Sequence, residues 1–280
     1  MESQKAIALF DSGIGGLTVA KEIFKQLPGE RIIYFGDTAR FPYGPRPPEQ
    51  VRGFVCEIID FLHTQEIKAL IIACNSATAA GLDYYKSKTD IPLLGVIEPG
   101  VRAAVAQTRN GKVGVIGTQG TIISGAYPEA FRKIAPGIEL YSQACPLFVL
   151  LVENNLVNTP EARLVAKEYL APFKDTGIDT LILGCTHYPL MADVIQEAAG
   201  ADVKLISSAE EVTREIKGIM EEKNILNTIS SGANYGRNRY YVSGQAQAFC
   251  ELAGKLLGEG ITAYQVILNG EELKGEDMDG

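Results

Sequence analysis

Leu70-Ile71-Ile72-Ala73-Cys74-Asn75 and, 111 residues further on, Leu181-Ile182-Leu183-Gly184-Cys185-Thr186 carry one pattern: an unbroken apolar run, a small residue, a cysteine and a polar side chain. A run that is apolar at every position, rather than at every other one, suits a strand buried on both faces of a parallel sheet. The polar residue just past it marks where a strand gives way to a helix start. Sliding the chain against itself by 106 to 111 residues aligns three further pieces in the same order. Ala8-Leu9-Phe10-Asp11-Ser12-Gly13 matches Gly114-Val115-Ile116-Gly117-Thr118-Gln119, Ile32 to Phe35 matches Ile138 to Tyr141, and Leu94 to Ile97 matches Leu205 to Ser208. Such a repeat implies two similar α/β lobes related by a pseudo-twofold axis.

Outward from these pieces, short β-branched or aromatic runs predict strands near 6–10, 31–35, 69–73, 93–97, 113–117, 138–142, 180–184, 203–206 and 239–243. Amphipathic segments fill most of the gaps, the alternation expected of largely parallel sheets flanked by helices. Val51, Phe54, Val55, Ile58, Ile59 and Leu62 share one helical face. Ser208 and Glu211 read as a capping box, and Thr159-Pro160 as an N-cap followed by a first-turn proline. Residues 1–97 with 208–280 are expected to form the first lobe, carrying Cys74, and residues 98–207 the second, carrying Cys185. The crossings near 98 and 207 are expected to be short hinges, and the acidic, glycine-rich tail from Glu271 to Gly280 to fray. Ligands of open α/β sheets bind beyond the carboxyl ends of the strands, so the active site is expected between the lobes.

Composition excludes several classes. At 280 residues, 46% hydrophobic and 21% charged, with a mean hydropathy of +0.05, the chain is neither disordered, nor fibrous, nor a disulfide miniprotein. Its apolar runs are far shorter than the roughly 20 residues that cross a bilayer. The beginning Met1-Glu2-Ser3-Gln4-Lys5 lacks the features of a secretory signal, so the expected compartment is the cytoplasm. Five scattered cysteines with no CxxC pair point to free thiols in a reducing environment rather than to disulfides or zinc. A net charge of −8 with dispersed lysines and arginines argues against nucleic acid and leaves small-molecule chemistry.

Cys74 and Cys185 stand at equivalent points of the repeat, each at a strand end just before a helix start. One such cysteine alone is most simply a small apolar residue closing a strand. A matched pair on opposite lobes instead fits a two-base proton transfer: one thiolate removes a proton from one face of a carbon and a thiol returns one to the other. Hydrolysis needs a single nucleophile. Placement at a helix N-terminus is expected to lower a thiol's pKa. A thiol's ordinary pKa is about 8.5, an α-proton is far less acidic, and each unit of mismatch costs about 1.4 kcal/mol, so the site must stabilise a carbanion. Donors for this are expected from backbone N–H groups in the turns Asp11-Ser12-Gly13-Ile14-Gly15-Gly16, Asn75-Ser76 and Thr186-His187.

Asp11 ends the first strand and ordinarily would cap the next turn. Glu153, after the apolar run Leu147 to Val152, is by default a surface carboxylate, whereas His187 is a candidate acid or carboxylate-orienting group. With Glu153 and His187 in one lobe and Asp11 in the other, a carboxylate is available to assist each thiol or hold an ammonium. The long turn 36–46 either brings Tyr43 and Gly44 to a ligand or serves only as a turn. His63 is expected to be solvated, and Cys56, Cys145 and Cys250 to pack. Gly13-Ile14-Gly15-Gly16-Leu17-Thr18 offers the GxG of a dinucleotide loop, but Thr18 replaces the third glycine, and no GKT or GKS occurs. The expectation is a site with no cofactor and no metal.

From Phe10-Asp11-Ser12-Gly13-Ile14-Gly15-Gly16 through Pro42-Tyr43-Gly44 and Ala73-Cys74-Asn75 to Gly184-Cys185-Thr186-His187-Tyr188-Pro189-Leu190, the chain resembles the glutamate racemases of the cofactor-independent aspartate/glutamate racemase superfamily. The resemblance implies that Cys74 and Cys185 are the acid/base thiols, assisted by Asp11, Glu153 and His187. It also implies substrate contacts from Asp11, Ser12, Tyr43, Gly44, Asn75, Ser76, Thr118, Thr186 and His187. The implied product is D-glutamate for bacterial peptidoglycan, made without pyridoxal phosphate or metal, and the implied assembly is a homodimer. Ser76 stands where threonine is usual, and Ser207-Ser208 where Asp-Ser often follows the strand near 205. Glutamate is thus the expected partner, with no nucleic acid and no membrane. The residues themselves leave open an aspartate racemase, a thiol hydrolase or a two-lobed amino-acid-binding protein, since one methylene of substrate is worth only about 1–3 kcal/mol in a pocket.

Overall fold

Ten strands, all paired in parallel, form two sheets in a computed structural model that describes residues 2–227, 238–258 and 260–268. The first sheet contains β1 (Ala6–Asp11), β2 (Ile32–Gly36), β3 (Ile67–Ile72), β4 (Leu93–Gly95), β9 (Arg239–Val242) and β10 (Ala263–Gln265) in the order β10-β9-β2-β1-β3-β4. The second contains β5 (Lys112–Gly117), β6 (Glu139–Ala144), β7 (Thr180–Gly184) and β8 (Lys204–Ile206) in the order β6-β5-β7-β8. Four neighbours of the first sheet, β2-β1-β3-β4, therefore have the same succession as the whole second sheet, which is the arrangement the sequence repeat requires.

Burial on both faces explains the continuous apolar strands. Along β1, Ile7 and Leu9 point to one face and Ala6, Ala8 and Phe10 to the other, the period of two that a pleated strand imposes. The first face is covered by α1 (Leu17–Gln26), α10 (Ser208–Glu222) and α11 (Ala246–Leu257), through Leu17, Ile23, Val212, Ile216 and Phe249. The second is covered by α2 (Pro48–His63) and α3 (Asn75–Lys86), through Val55, Ile58, Ile59, Leu62 and Ala77. In the other sheet α4 (Ile97–Gln107) and α6 (Ala126–Ile134) cover Val113, Val115 and Ile182. There α7 (Pro146–Glu153), α8 (Pro160–Leu170) and α9 (Ala192–Ala199) cover Ile116, Leu181 and Leu183. The short α5 (Gln119–Ile123) follows β5.

All nine expected strands form, with small differences at their ends. The strand expected to reach 97 stops at Gly95, because the chain turns at once into α4. β10 was not expected: it is three residues long, largely exposed and without an alternating pattern. The expected capping box of Ser208 and Glu211 gives way to a simple N-cap: Ser207 caps α10, its hydroxyl accepting from Ala209 N, and Glu211 bonds Arg214. Thr159 does cap α8, accepting from Ala162 N, with Pro160 in the first turn. Exposed His63 bonds Thr89 Oγ1 at 2.9 Å, and Cys145 is fully buried. The tail from Glu271 to Gly280 lies outside the described residues.

At the end of the first sheet remote from its loop-bearing edge, Lys68 Nζ meets Glu30 Oε2 at 2.6 Å, both side chains being almost wholly buried. Burial lowers the Lys68 pKa and raises that of Glu30. The ammonium also donates to Ser3 O and Ile225 O, and Glu30 Oε1 accepts from Asn227 N. Removing one partner leaves a buried charge without its counter-ion, so Lys68→Met is expected to cost about 3–5 kcal/mol in urea unfolding. Lys68→Met with Glu30→Leu should recover most of that loss; a double variant as unstable as the single one would show that the pair is not what Lys68 supports.

Candidate active site

The carboxyl ends of β1, β3, β5 and β7 converge between the lobes, and each delivers a side chain. Cys74 follows β3 and is the N-cap of α3, where its sulfur accepts from Ala77 N at 3.5 Å. The same sulfur lies 3.6 Å from Ser12 Oγ, just past β1. Burial, then the nearby Asp11 carboxylate, push the Cys74 thiol up to about 12, with Cys185 adding in the same direction. The expected lowering of the thiol pKa at a helix N-terminus is thus overturned for Cys74. A single weak N–H···S contact does not offset loss of water around a thiolate beside a carboxylate.

Cys185 follows β7 and is 93% buried; its sulfur lies 3.8 Å from His187 Nδ1. Instead of a helix, a single 3-10 turn comes next, Tyr188–Met191, and α9 begins only at Ala192. His187 Nε2 meets Glu153 Oε1, at the last residue of α7, at 2.6 Å, so Glu153 is not merely a surface carboxylate. Burial alone would depress the imidazole's pKa. The hydrogen bonds to Cys185 and Glu153, together with the charges of Cys185 and Asp11, outweigh it and raise the pKa to about 10. These partners favour the charged form of the imidazole, which stands beside the Cys185 sulfur.

Asp11 is fully buried where the two lobes meet. Its Oδ2 accepts from Gly13 N at 3.0 Å and its Oδ1 from Thr186 Oγ1 of the other lobe at 3.2 Å. Burial raises its pKa, against the pull of His187 and these donors. Glycines allow the approach: a Cβ on Gly15 would overlap the Thr186 hydroxyl and stand 2.8 Å from His187 Nδ1.

A second group of contacts bridges the lobes. Ser76 Oγ lies 2.9 Å from Thr118 Oγ1 and 3.3 Å from Thr121 Oγ1, and Gly120 N donates to Gly44 O at 2.9 Å. Tyr127 Oη donates to Asn75 Oδ1 at 2.8 Å. Tyr43 is placed differently, since its ring is buried against Phe10 and Phe54 and its hydroxyl is committed to Asp37, which also binds Arg40 and Ser243. The 36–46 turn thereby acquires a rigid base from which Gly44 reaches the second lobe and Phe41 packs on His187, ring centroids 5.6 Å apart. Sequence reasoning singled out neither Thr121, Tyr127 nor Phe41. Thr121 had a faint signal, three residues past a hydroxyl-bearing strand end, and the other two had none.

The space beside Cys185, lined by Asn75, Thr186, Ser207 and Ser208 among others, is about 10 Å³. A larger groove of about 220 Å³ on the second lobe, lined by Phe131, Ala135, Pro136 and Leu140, contains no thiol or carboxylate, so volume does not mark the site. No group of three or more His, Cys, Asp or Glu among the described residues has the geometry to hold a metal ion. No described helix is long and apolar enough to cross a membrane. Two buried sulfurs, a buried imidazole bonded to a carboxylate, and nearby hydroxyl and backbone donors suit the movement of a proton at a carbon next to a carboxylate.

Comparison with known proteins agrees with this chemistry. Glutamate racemase of Enterococcus faecalis is 49% identical over 97% of this chain and 99% of its own. A crystal structure of a glutamate racemase isoform from Bacillus anthracis superposes with a TM-score of 0.90 at 44% identity, covering 94% of this chain and 98% of that one. That of the Francisella tularensis glutamate racemase, in complex with D-glutamate, does so at 0.88 and 38%, covering 96% and 100%. Residues 14–216 match the model of the Asp/Glu/Hydantoin racemase family, and the chain belongs to that family.

Proposed function

We propose that this protein is a glutamate racemase that interconverts L- and D-glutamate by passing the α-proton between Cys74 and Cys185. The observation that carries the mechanism is the placement of two buried sulfurs at equivalent strand ends of opposite lobes, each beside a polar assistant of its own. In one direction a Cys185 thiolate takes the α-proton and becomes a thiol, the Cα electron pair delocalises into the carboxylate, and Cys74 donates its proton to the opposite face. In the other direction the roles exchange. The high pKa of Cys74 supports a resting thiol there, and the His187 cation supplies the counter-charge at Cys185. Glu153 holds His187, and Asp11 assists on the Cys74 side. Ser12, Gly44, Asn75, Ser76, Thr118 and Thr186 supply donors for the substrate carboxylates, with Tyr43 setting the position of Gly44.

We take the hinge to lie at 97/98 and 207/208, with residues 1–97 and 208–280 forming one lobe and 98–207 the other. Val96 packs with the first core and Ile97 with the second, which supports a crossing within one residue of this division. The product serves peptidoglycan synthesis in the bacterial cytoplasm. Two copies are taken to pair as a homodimer.

Two outcomes are expected. Cys74→Ala and Cys185→Ala should each lower racemisation, followed by circular dichroism of L- and D-glutamate, by about a hundred- to ten-thousandfold. Deuterium from D₂O should enter Cα in the wild type, glutamate should be preferred over aspartate, and near wild-type racemisation by either variant would falsify the two-thiol mechanism. The second concerns stability. His187 binds its proton more tightly in the folded than in the unfolded protein, so its stabilisation is complete below about pH 6.5 and is lost as pH rises through about 10. The gap in melting temperature between wild type and His187→Asn should therefore close between those values. A gap that stays constant with pH would mean that the imidazole is neutral in the fold.

A further inference from the structure

Tyr127 touches the chain neighbours of both thiols. Its hydroxyl donates to Asn75 Oδ1 at 2.8 Å, and Asn75 directly follows Cys74. Its ring lies against Gly184, which directly precedes Cys185: a Cβ there would stand 3.1 Å from Tyr127 Cε2 and 3.2 Å from its hydroxyl. The residue is 1% exposed, and Asn75 is 4% exposed. It belongs to α6 of the second lobe, whereas Asn75 opens α3 of the first, so the contact spans the division between them. The Ser208 hydroxyl, at the start of α10 where the chain returns to the first lobe, lies beside the same phenol.

These contacts decide the orientation of a carboxamide. A phenol that uses its only proton on Asn75 Oδ1 fixes which end of the amide it meets, and the Nδ2 group is left to donate elsewhere. Asn75 opens α3 beside Cys74 and lines the space next to Cys185 and Thr186, where its amide is available to a substrate carboxylate. We propose that Tyr127 is a positioning residue of the racemase: it orients Asn75 for substrate binding and braces the Gly184–Cys185 corner at a fixed distance from Cys74. The proposal rests on the assignment of Asn75 as a substrate contact.

Tyr127→Phe keeps the ring against Gly184 and removes only the hydroxyl. KM for glutamate is expected to rise about 5- to 30-fold, the loss of one buried hydrogen bond, while kcat stays within about 3-fold and the thermal midpoint within a few degrees. Asn75→Ala should raise KM by at least as much. The double variant should be no worse than Asn75→Ala, because the hydroxyl acts through the amide. Tyr127→Leu, which removes the brace too, should lower kcat as well as raise KM. If Asn75→Ala raises KM and Tyr127→Phe does not, or if the two effects add, the proposal is overturned while the assignment of Asn75 stands. If Asn75→Ala leaves KM unchanged, that assignment fails and the proposal fails with it.

Discussion

A carboxylate with no exposed surface stands where the two lobes meet, and much of the surrounding geometry follows from the way Asp11 is satisfied. Left unpaired, a buried carboxylate would be too costly to remain ionised. Its donors come from both sides: Gly13 N from its own turn and Thr186 Oγ1 from the opposite lobe. Reaching both demands a close approach, and the approach dictates the sequence. Gly16 has no room for a side chain because Asp11 Cβ would lie 2.5 Å away, and Gly15 has none because Thr186 and His187 stand over it. Gly15 is therefore required by interlobe contact and Gly16 by close packing on Asp11 within its own lobe, although from the residues alone the turn could be compared with a nucleotide loop.

Electrostatics around that carboxylate divide the site into two unlike halves despite the symmetric backbone. On the Cys74 side, burial and a neighbouring negative group hold the sulfur protonated. On the Cys185 side, His187, held by Glu153, places an imidazole against the sulfur. Two equivalent thiols with equal environments would both rest in the same state. Here the two sulfurs have unlike neighbours, a carboxylate beside one and an imidazole beside the other. The overall charge of −8 gives no attraction for a dicarboxylate, so affinity has to come from short-range donors at the strand ends.

The fold was legible where physical periodicity acts locally. Apolar strands buried on both faces, the stripe of α2 and the Thr159-Pro160 cap are each written within a few residues. The internal repeat then placed the two cysteines at equivalent strand ends of the two sheets, which no single motif could do. Contacts between lobes obey no spacing rule, and there legibility ended. Tyr127 meets Asn75 across 52 positions, and Tyr43 turns its hydroxyl to Asp37 rather than outward. The pKa of Cys74 was also beyond reach, because it depends on how much water the opposite lobe excludes. Where the helix dipole and desolvation oppose one another, only the packed arrangement tells which prevails.

The interleaving of the sheets has a consequence for the order in which the protein is made. β9 lies directly beside β2, with Tyr34 opposite Tyr240 and Ile32 N bonded to Asn238 Oδ1, yet about 200 residues separate the two strands. The four strands of the second sheet, by contrast, arise consecutively. At a synthesis rate of about 5–20 residues per second, the outer edge of β2 stays without its partner for roughly 10–40 s. During that interval the second lobe can be complete while the first presents an apolar, hydrogen-bonding strand edge, the feature most open to pairing with another chain. Protection on the ribosome thus matters most at Ile32–Gly36, some distance from the chemistry, and the lobe that begins first is the last to close.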